Sequence, residues 1–146
     1  MARALIIAYG NPLRCDDGLA WHLAEALSRA ELPGDVEVIT CHQLTPELAS
    51  EVSQVSIALF VDAARNGIPG ELVQARVTPR REGSAFTHEC SPGAILGLAQ
   101  ELYGRCPEAF VISMCGECFD HGETLSPKIA ESLPRLVEMV GQFIKP

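Results

Sequence analysis

The chain has 146 residues, 47% of them apolar and 21% charged, and its eleven Lys+Arg against nineteen Asp+Glu leave a net charge of −8. That length makes about one domain with a core large enough to need no disulfide or metal staple, and the composition excludes a disordered chain. An acidic surface repels phosphate backbones and anionic lipid, so neither nucleic acid nor a membrane is expected as a partner; the longest apolar stretch, residues 56–64, falls far short of the roughly 20 residues of a membrane span.

Residues 4–9 are continuously apolar, as in a strand buried on both faces. They run into Gly10-Asn11-Pro12 and the acidic pair Asp16-Asp17 without a small-residue cleavage site, which is not the pattern of a signal peptide. A first helix is expected to begin at Asp16, with Leu19, Leu23 and Ala26 on one face. A second strand at 36–40 is bounded by Pro33-Gly34-Asp35. Thr45-Pro46 then offers a capping hydroxyl and a first-turn proline to a helix whose apolar positions are Leu48, Val52 and Val55.

Residues 57–61 form a third apolar strand that runs directly into Asp62. Residues 71–77 alternate Val73, Ala75 and Val77 with Gln74 and Arg76, as a half-exposed strand does. Asn66-Gly67 and Pro69-Gly70 between these two strands predict antiparallel neighbours. Ser91-Pro92 opens a helix carrying Ile95, Leu98, Ala99 and Leu102, and residues 109–114 are another apolar strand. Ser126-Pro127 opens the last helix, with Ile129, Leu133, Leu136 and Val140; Pro134 is expected to bend or split it. This order predicts one domain, residues 1–146, folded as a three-layer α/β/α sandwich around a mixed, mostly parallel five-stranded sheet.

The six cysteines, at 15, 41, 90, 106, 115 and 118, are too scattered for a disulfide framework, so free thiols in a reducing cytoplasm are expected. Cys115-Gly116-Glu117-Cys118 has redox spacing, but it follows a strand instead of opening a helix, and ordinary thiols are the simpler reading.

Ligands of an open α/β sheet gather beyond the carboxyl ends of its strands. The reactive groups there include Asp16 and Asp17 after the first strand, Asp62 after the third, and His88 before the Ser91-Pro92 helix. Asp17, Asp62 and His88 are a mixed oxygen and nitrogen set suited to a borderline divalent ion such as nickel, zinc or manganese. Bland roles stand beside that one: Asp16 or Asp17 as a helix cap, Asp62 as a turn cap, His88 as a solvated loop residue. Gln43 is a candidate substrate contact or a solvated amide. No Ser-His-Asp set, nucleophile elbow or His-Glu-x-x-His motif is present, which argues against a standard serine or zinc protease.

The stretch ALIIAYGNPLRCDDG, residues 4–18, resembles the opening of the hydrogenase maturation endopeptidases. The resemblance continues through His42-Gln43-Leu44-Thr45-Pro46-Glu47-Leu48, Leu59-Phe60-Val61-Asp62-Ala63, Pro69-Gly70-Glu71, Thr87-His88, Ser91-Pro92 and Gly122-Glu123 to Leu125-Ser126-Pro127. The usual Gly-x-Gly-Asn opening is altered here to Ala8-Tyr9-Gly10-Asn11. The resemblance implies an endopeptidase that removes the C-terminal extension of a nickel-iron hydrogenase large-subunit precursor after nickel insertion. It also implies metal-binding positions at Asp17, Asp62 and His88, and substrate-binding roles for Gly10, Asn11 and Gln43. The nickel is then carried by the substrate, with zinc or cadmium as stand-ins in a crystal. The attacking group is left open, with Asp16 as a candidate general base or helix cap. The alternative reading of the same residues is a nickel-binding accessory protein, a metallochaperone without peptidase activity.

Overall fold

The computed structural model describes residues 3–80 and 90–145. Five strands, β1 (Ala4–Tyr9), β2 (Val36–Cys41), β3 (Ile57–Ala64), β4 (Leu72–Val77) and β5 (Glu108–Cys115), form one sheet in the order β2-β1-β3-β5-β4. The helices are α1 (Leu19–Arg29), α2 (Leu48–Val52), α3 (Pro92–Tyr103) and α4 (Pro127–Phe143), with a 3-10 turn at Cys15–Gly18 before α1.

Every strand pair is parallel except β4–β5. The continuous apolar runs of β1 and β3 follow from their central place, since both of their faces are covered. Alternate residues of β1 serve opposite layers. Ala4, Ile6 and Ala8 pack with Leu19 and Leu23 of α1 and Leu136 and Val140 of α4. Leu5 and Ile7 pack with Phe60, Val52 of α2, and Ile95 and Leu96 of α3. Two apolar cores thus sandwich the sheet, as the order of elements predicts. No helix among the described residues is long and apolar enough to cross a membrane.

Several expectations are corrected. β4 is antiparallel, but its neighbour is β5 and not β3. The reason is occupancy: β3 already has β1 on one side and β5 on the other, so β4 must join the outer edge of β5. β3 also runs three residues past Val61, because Asp62, Ala63 and Ala64 continue to pair with Ser113, Met114 and Cys115. Asp16 lies in the 3-10 turn, and α1 starts only at Leu19.

Of the three capping hydroxyls, only Ser91 acts as expected, accepting the Ala94 N–H at 3.1 Å. Thr45 lies three residues before α2, in a turn where its carbonyl takes the Leu48 N–H. Ser126 stands at the N-cap of α4, yet its hydroxyl is drawn to Asp16 instead.

Pro134 does not split α4, which runs through it for 17 residues. Pro134 is exposed, so the Ala130 carbonyl that loses its intrahelical partner can be met by water. Replacing Pro134 with alanine restores that hydrogen bond. Because an interior proline costs a helix about 3 kcal/mol relative to alanine, Pro134→Ala should stabilise the fold by about 1 kcal/mol or more. A rise in the thermal midpoint checks this; an unchanged or lower midpoint would mean that the surroundings of α4 are already adapted to the proline.

Candidate functional site

β1 leads to β2 on one side of the sheet while β3 leads away on the other, so the loops leaving the carboxyl ends of β1 and β3 diverge. Such a switch point leaves a crevice. A cavity of about 390 Å3 opens there, lined by Tyr9, Gly10, Asp17, Gln43, Asp62 and Cys90 among others.

Asp17 reaches this cavity from the 3-10 turn. Gly10 lets the turn come close: a Cβ at that position would lie 2.1 Å from the Asp17 carbonyl oxygen, so no other residue fits. The Asn11 N–H donates to Asp17 Oδ2 at 2.8 Å, and the Asn11 side chain folds its own loop by accepting the Leu13 N–H at 2.9 Å. Gly10 and Asn11 are therefore the cradle of Asp17. Trp21 pins the same strand end by donating its indole N–H to the Gly10 carbonyl at 2.9 Å, and it meets His42 edge to face. Gln43 lies exposed on the cavity wall.

Asp62 projects from β3 between two hydroxyl donors. Tyr9 Oη donates to Asp62 Oδ2 at 3.0 Å, and Ser113 Oγ donates to Oδ1. Burial pushes the Asp62 carboxyl up. The Ser113 and Tyr9 hydroxyls pull it down, the charge of Asp17 adds to the upward push, and the net shift is upward. Burial and the Asp62 charge likewise drive the Tyr9 phenol well above its usual range, so Tyr9 stays a donor.

Asp16, one residue before Asp17, has a different task. It is fully buried, and its Oδ2 accepts the N–H groups of Glu117 and Cys118, at 2.8 and 2.9 Å, and the Ser126 hydroxyl at 2.7 Å. Oδ1 accepts the Ser126 N–H at 2.8 Å. Burial would raise this carboxyl, but the four donors together outweigh it and hold it below the ordinary range. It caps no part of α1. It stitches the 3-10 turn to the segment between β5 and α4.

The structure thus brings Asp17, Asp62, Gly10 and Gln43 to one cavity, with Asn11 behind Asp17 and Asp16 turned away into the interior. His88 lies outside the described residues, and among the described residues no group of three His, Cys, Asp or Glu side chains is arranged for a metal ion. None of the six cysteines forms a disulfide. The Cys115–Cys118 spacing does not make a pair: the Cys115 thiol donates to the Asn66 carbonyl at 3.1 Å, whereas the Cys118 thiol is hydrogen-bonded with Cys15. Tyr9 fills the unspecified position of the Ala8-Tyr9-Gly10-Asn11 opening, and Ser113 belongs to no motif. Their only signal in the sequence is a hydroxyl placed near the end of an otherwise apolar strand.

Solved structures with the same fold extend along nearly the whole chain. The nickel-iron hydrogenase maturation protease HycI from Thermococcus kodakarensis is 25% identical, with 99% of this chain and 94% of that one covered at a TM-score of 0.78. The maturation protease HybD from the same organism is also 25% identical, covering 98% of this chain and 99% of its own at a TM-score of 0.75. The hydrogenase maturating endopeptidase HybD from E. coli, at 23% identity, covers 94% and 89% with a TM-score of 0.72. No protein-family model matches the chain, and no curated protein matches its sequence. The resemblance read from the motifs and the likeness of fold point to the same group of proteins.

The Asp16 knot predicts a stability effect. Asp16→Ala leaves three N–H groups and a hydroxyl without their acceptor, which should cost about 3 kcal/mol, read as a lower urea midpoint. A carboxyl held below its unfolded value adds stability that is present above the ordinary aspartate range and is lost as pH falls through the folded value. The gap between the wild type and Asp16→Ala should therefore close on acidification; a gap that is constant down to pH 2 would contradict this.

Proposed function

We propose that the chain is an endopeptidase that removes the C-terminal extension of a nickel-iron hydrogenase large-subunit precursor once nickel is in place, reading that nickel as its recognition element. One observation carries the reading: Asp17, from the 3-10 turn, and Asp62, from β3, face one cavity at the switch point of a chain that shares its fold with hydrogenase maturation proteases. Two carboxylates at a cleft suit a borderline divalent cation, and His88 is the third ligand that the family resemblance supplies.

Three ligands from the protease leave coordination positions for groups of the precursor. The cation is then shared between the two proteins, and the peptide next to it is held beside the cleft. Holding reactants in place removes several kcal/mol from a barrier without any further catalytic group. This chain's own part is to grip: Gly10 and Asn11 fix Asp17, the strands fix Asp62, and Gln43 on the wall is placed to meet the incoming peptide. The reading fits a cytoplasmic protein that meets its precursor before assembly.

Incubation with a nickel-loaded precursor should shorten it by its C-terminal extension, as seen by mass spectrometry, and leave a nickel-free precursor intact. Asp17→Ala and Asp62→Ala should each slow cleavage about 100-fold or more, since loss of a positioning contact of this kind has that effect. Full activity in the double variant would sink the proposal. Because Asp62 binds a cation only when ionised and its carboxyl is raised, cleavage should fade on acidification before ordinary aspartates protonate. A nickel carrier without peptidase activity would instead hold the ion tightly by itself, which equilibrium dialysis of the isolated protein measures.

A further inference from the structure

We propose that Tyr9 and Ser113 are positioning residues that lock the Asp62 carboxylate in the orientation that receives the partner's divalent cation. The inference rests on the reading of the cleft as the docking site of a nickel-bearing precursor.

The strand register places the three residues in a row. Ala8 pairs with Val61, so Tyr9 comes beside Asp62 at the next step, and Asp62 pairs directly with Ser113. In-register neighbours on parallel strands point to the same face, so β1, β3 and β5 present a phenol, a carboxylate and a hydroxyl side by side. The residues two steps earlier, Ile7, Phe60 and Val111, lie in or against the core beneath α2 and α3. The row therefore stands on a packed base.

Each oxygen of Asp62 receives one hydroxyl, Oδ2 from Tyr9 and Oδ1 from Ser113. A carboxylate offers about four lone-pair sites, so each oxygen retains acceptor capacity for a cation. One donor would leave the group free to turn about its last torsion; donors on both oxygens, from strands on either side, fix that torsion. The hydroxyls need never touch the ion. Partners behind a ligating group commonly govern metal affinity by 10–100-fold.

The test compares Tyr9→Phe, Ser113→Ala and Ser113→Thr with the wild type, using the nickel-loaded precursor. The dissociation constant of the complex, KM, kcat and the thermal midpoint are each measured. Tyr9→Phe and Ser113→Ala should weaken binding and raise KM about 10-fold, with a smaller change in kcat. Ser113→Thr, which keeps a hydroxyl, should restore most of the affinity lost in Ser113→Ala.

Hydroxyls that merely satisfy a buried carboxylate would lower the thermal midpoint and leave KM and the dissociation constant where they were; that result overturns the inference. Equal weakening in Ser113→Ala and Ser113→Thr overturns it as well, because side-chain bulk and not the hydroxyl would then be responsible. If Tyr9→Phe does not fold, the Ser113 pair decides. A wild type that binds the nickel-loaded precursor without cutting it defeats the peptidase reading while the dissociation constants still judge this one. A wild type that does not bind it defeats both.

Discussion

The alignment of three parallel strands at their carboxyl ends is the constraint on which the site depends. Because β1, β3 and β5 pair without a register slip, Tyr9, Asp62 and Ser113 finish side by side on one face. A one-residue shift of β3 would turn Asp62 to the opposite face, toward α1 and α4, and bury its charge in an apolar core. The register is held by the alternation beneath it. Phe60 must enter the core under α2 and α3 while Leu59 and Val61 enter the other, and neither face tolerates the exchange. Packing energy far from the cleft thus specifies where a carboxylate stands.

Asp16 and Asp17 show how a tight turn divides labour between identical neighbours. Consecutive residues of a 3-10 turn point about a third of a revolution apart, so one carboxylate enters the interior while the next faces the cavity. Asp16 is tolerable as a buried charge only because four donors close around it. It fixes the turn against the segment leading to α4, and Cys15 beside it takes a left-handed backbone (φ 47°) to make that fit. Asp17 inherits a rigid mount. The cleft acid owes its precision to the buried one.

Much of this was legible in the sequence, and the rest was hidden for definable reasons. The strands at 4–9 and 109–114 announce themselves by composition, since only a sheet covered on both faces needs continuous apolar runs. Asp17 and Asp62 are legible as site residues because they follow such runs. The partner of β4 was not, because turn residues at 66–70 state that the chain reverses but not which edge is vacant. The extra length of β3 was hidden because Asp62 reads as a strand end until its pairing with Ser113 is known. Ser126 and Thr45 carry sound capping signals, and each is overridden: a buried carboxylate is a stronger attractor for the Ser126 hydroxyl than its own helix, and the chain turns once more after Thr45. The Tyr9–Asp62–Ser113 row depends on register among strands roughly fifty residues apart, which no local pattern encodes.

The electrostatics of the cleft bear on why a protease of this proposed kind would need its substrate's metal. Asp62 is disfavoured as an anion by its burial and by Asp17, and the chain as a whole carries a net charge of −8. At an effective dielectric of about 20, unit charges 4 Å apart interact by about 4 kcal/mol, so a divalent cation between two such acids changes the sign of the local field. On the proposed reading, a precursor that brings the cation would relieve the repulsion between Asp17 and Asp62, and one that lacks it would have to dock against that repulsion and desolvate both acids without return. The two hydroxyls on Asp62 would sharpen the contrast, since one donor on each oxygen opposes rotation of the carboxylate. Discrimination between filled and empty precursors would then need no moving part. It would follow from two acids held in place at one mouth, each with acceptor capacity left for a cation.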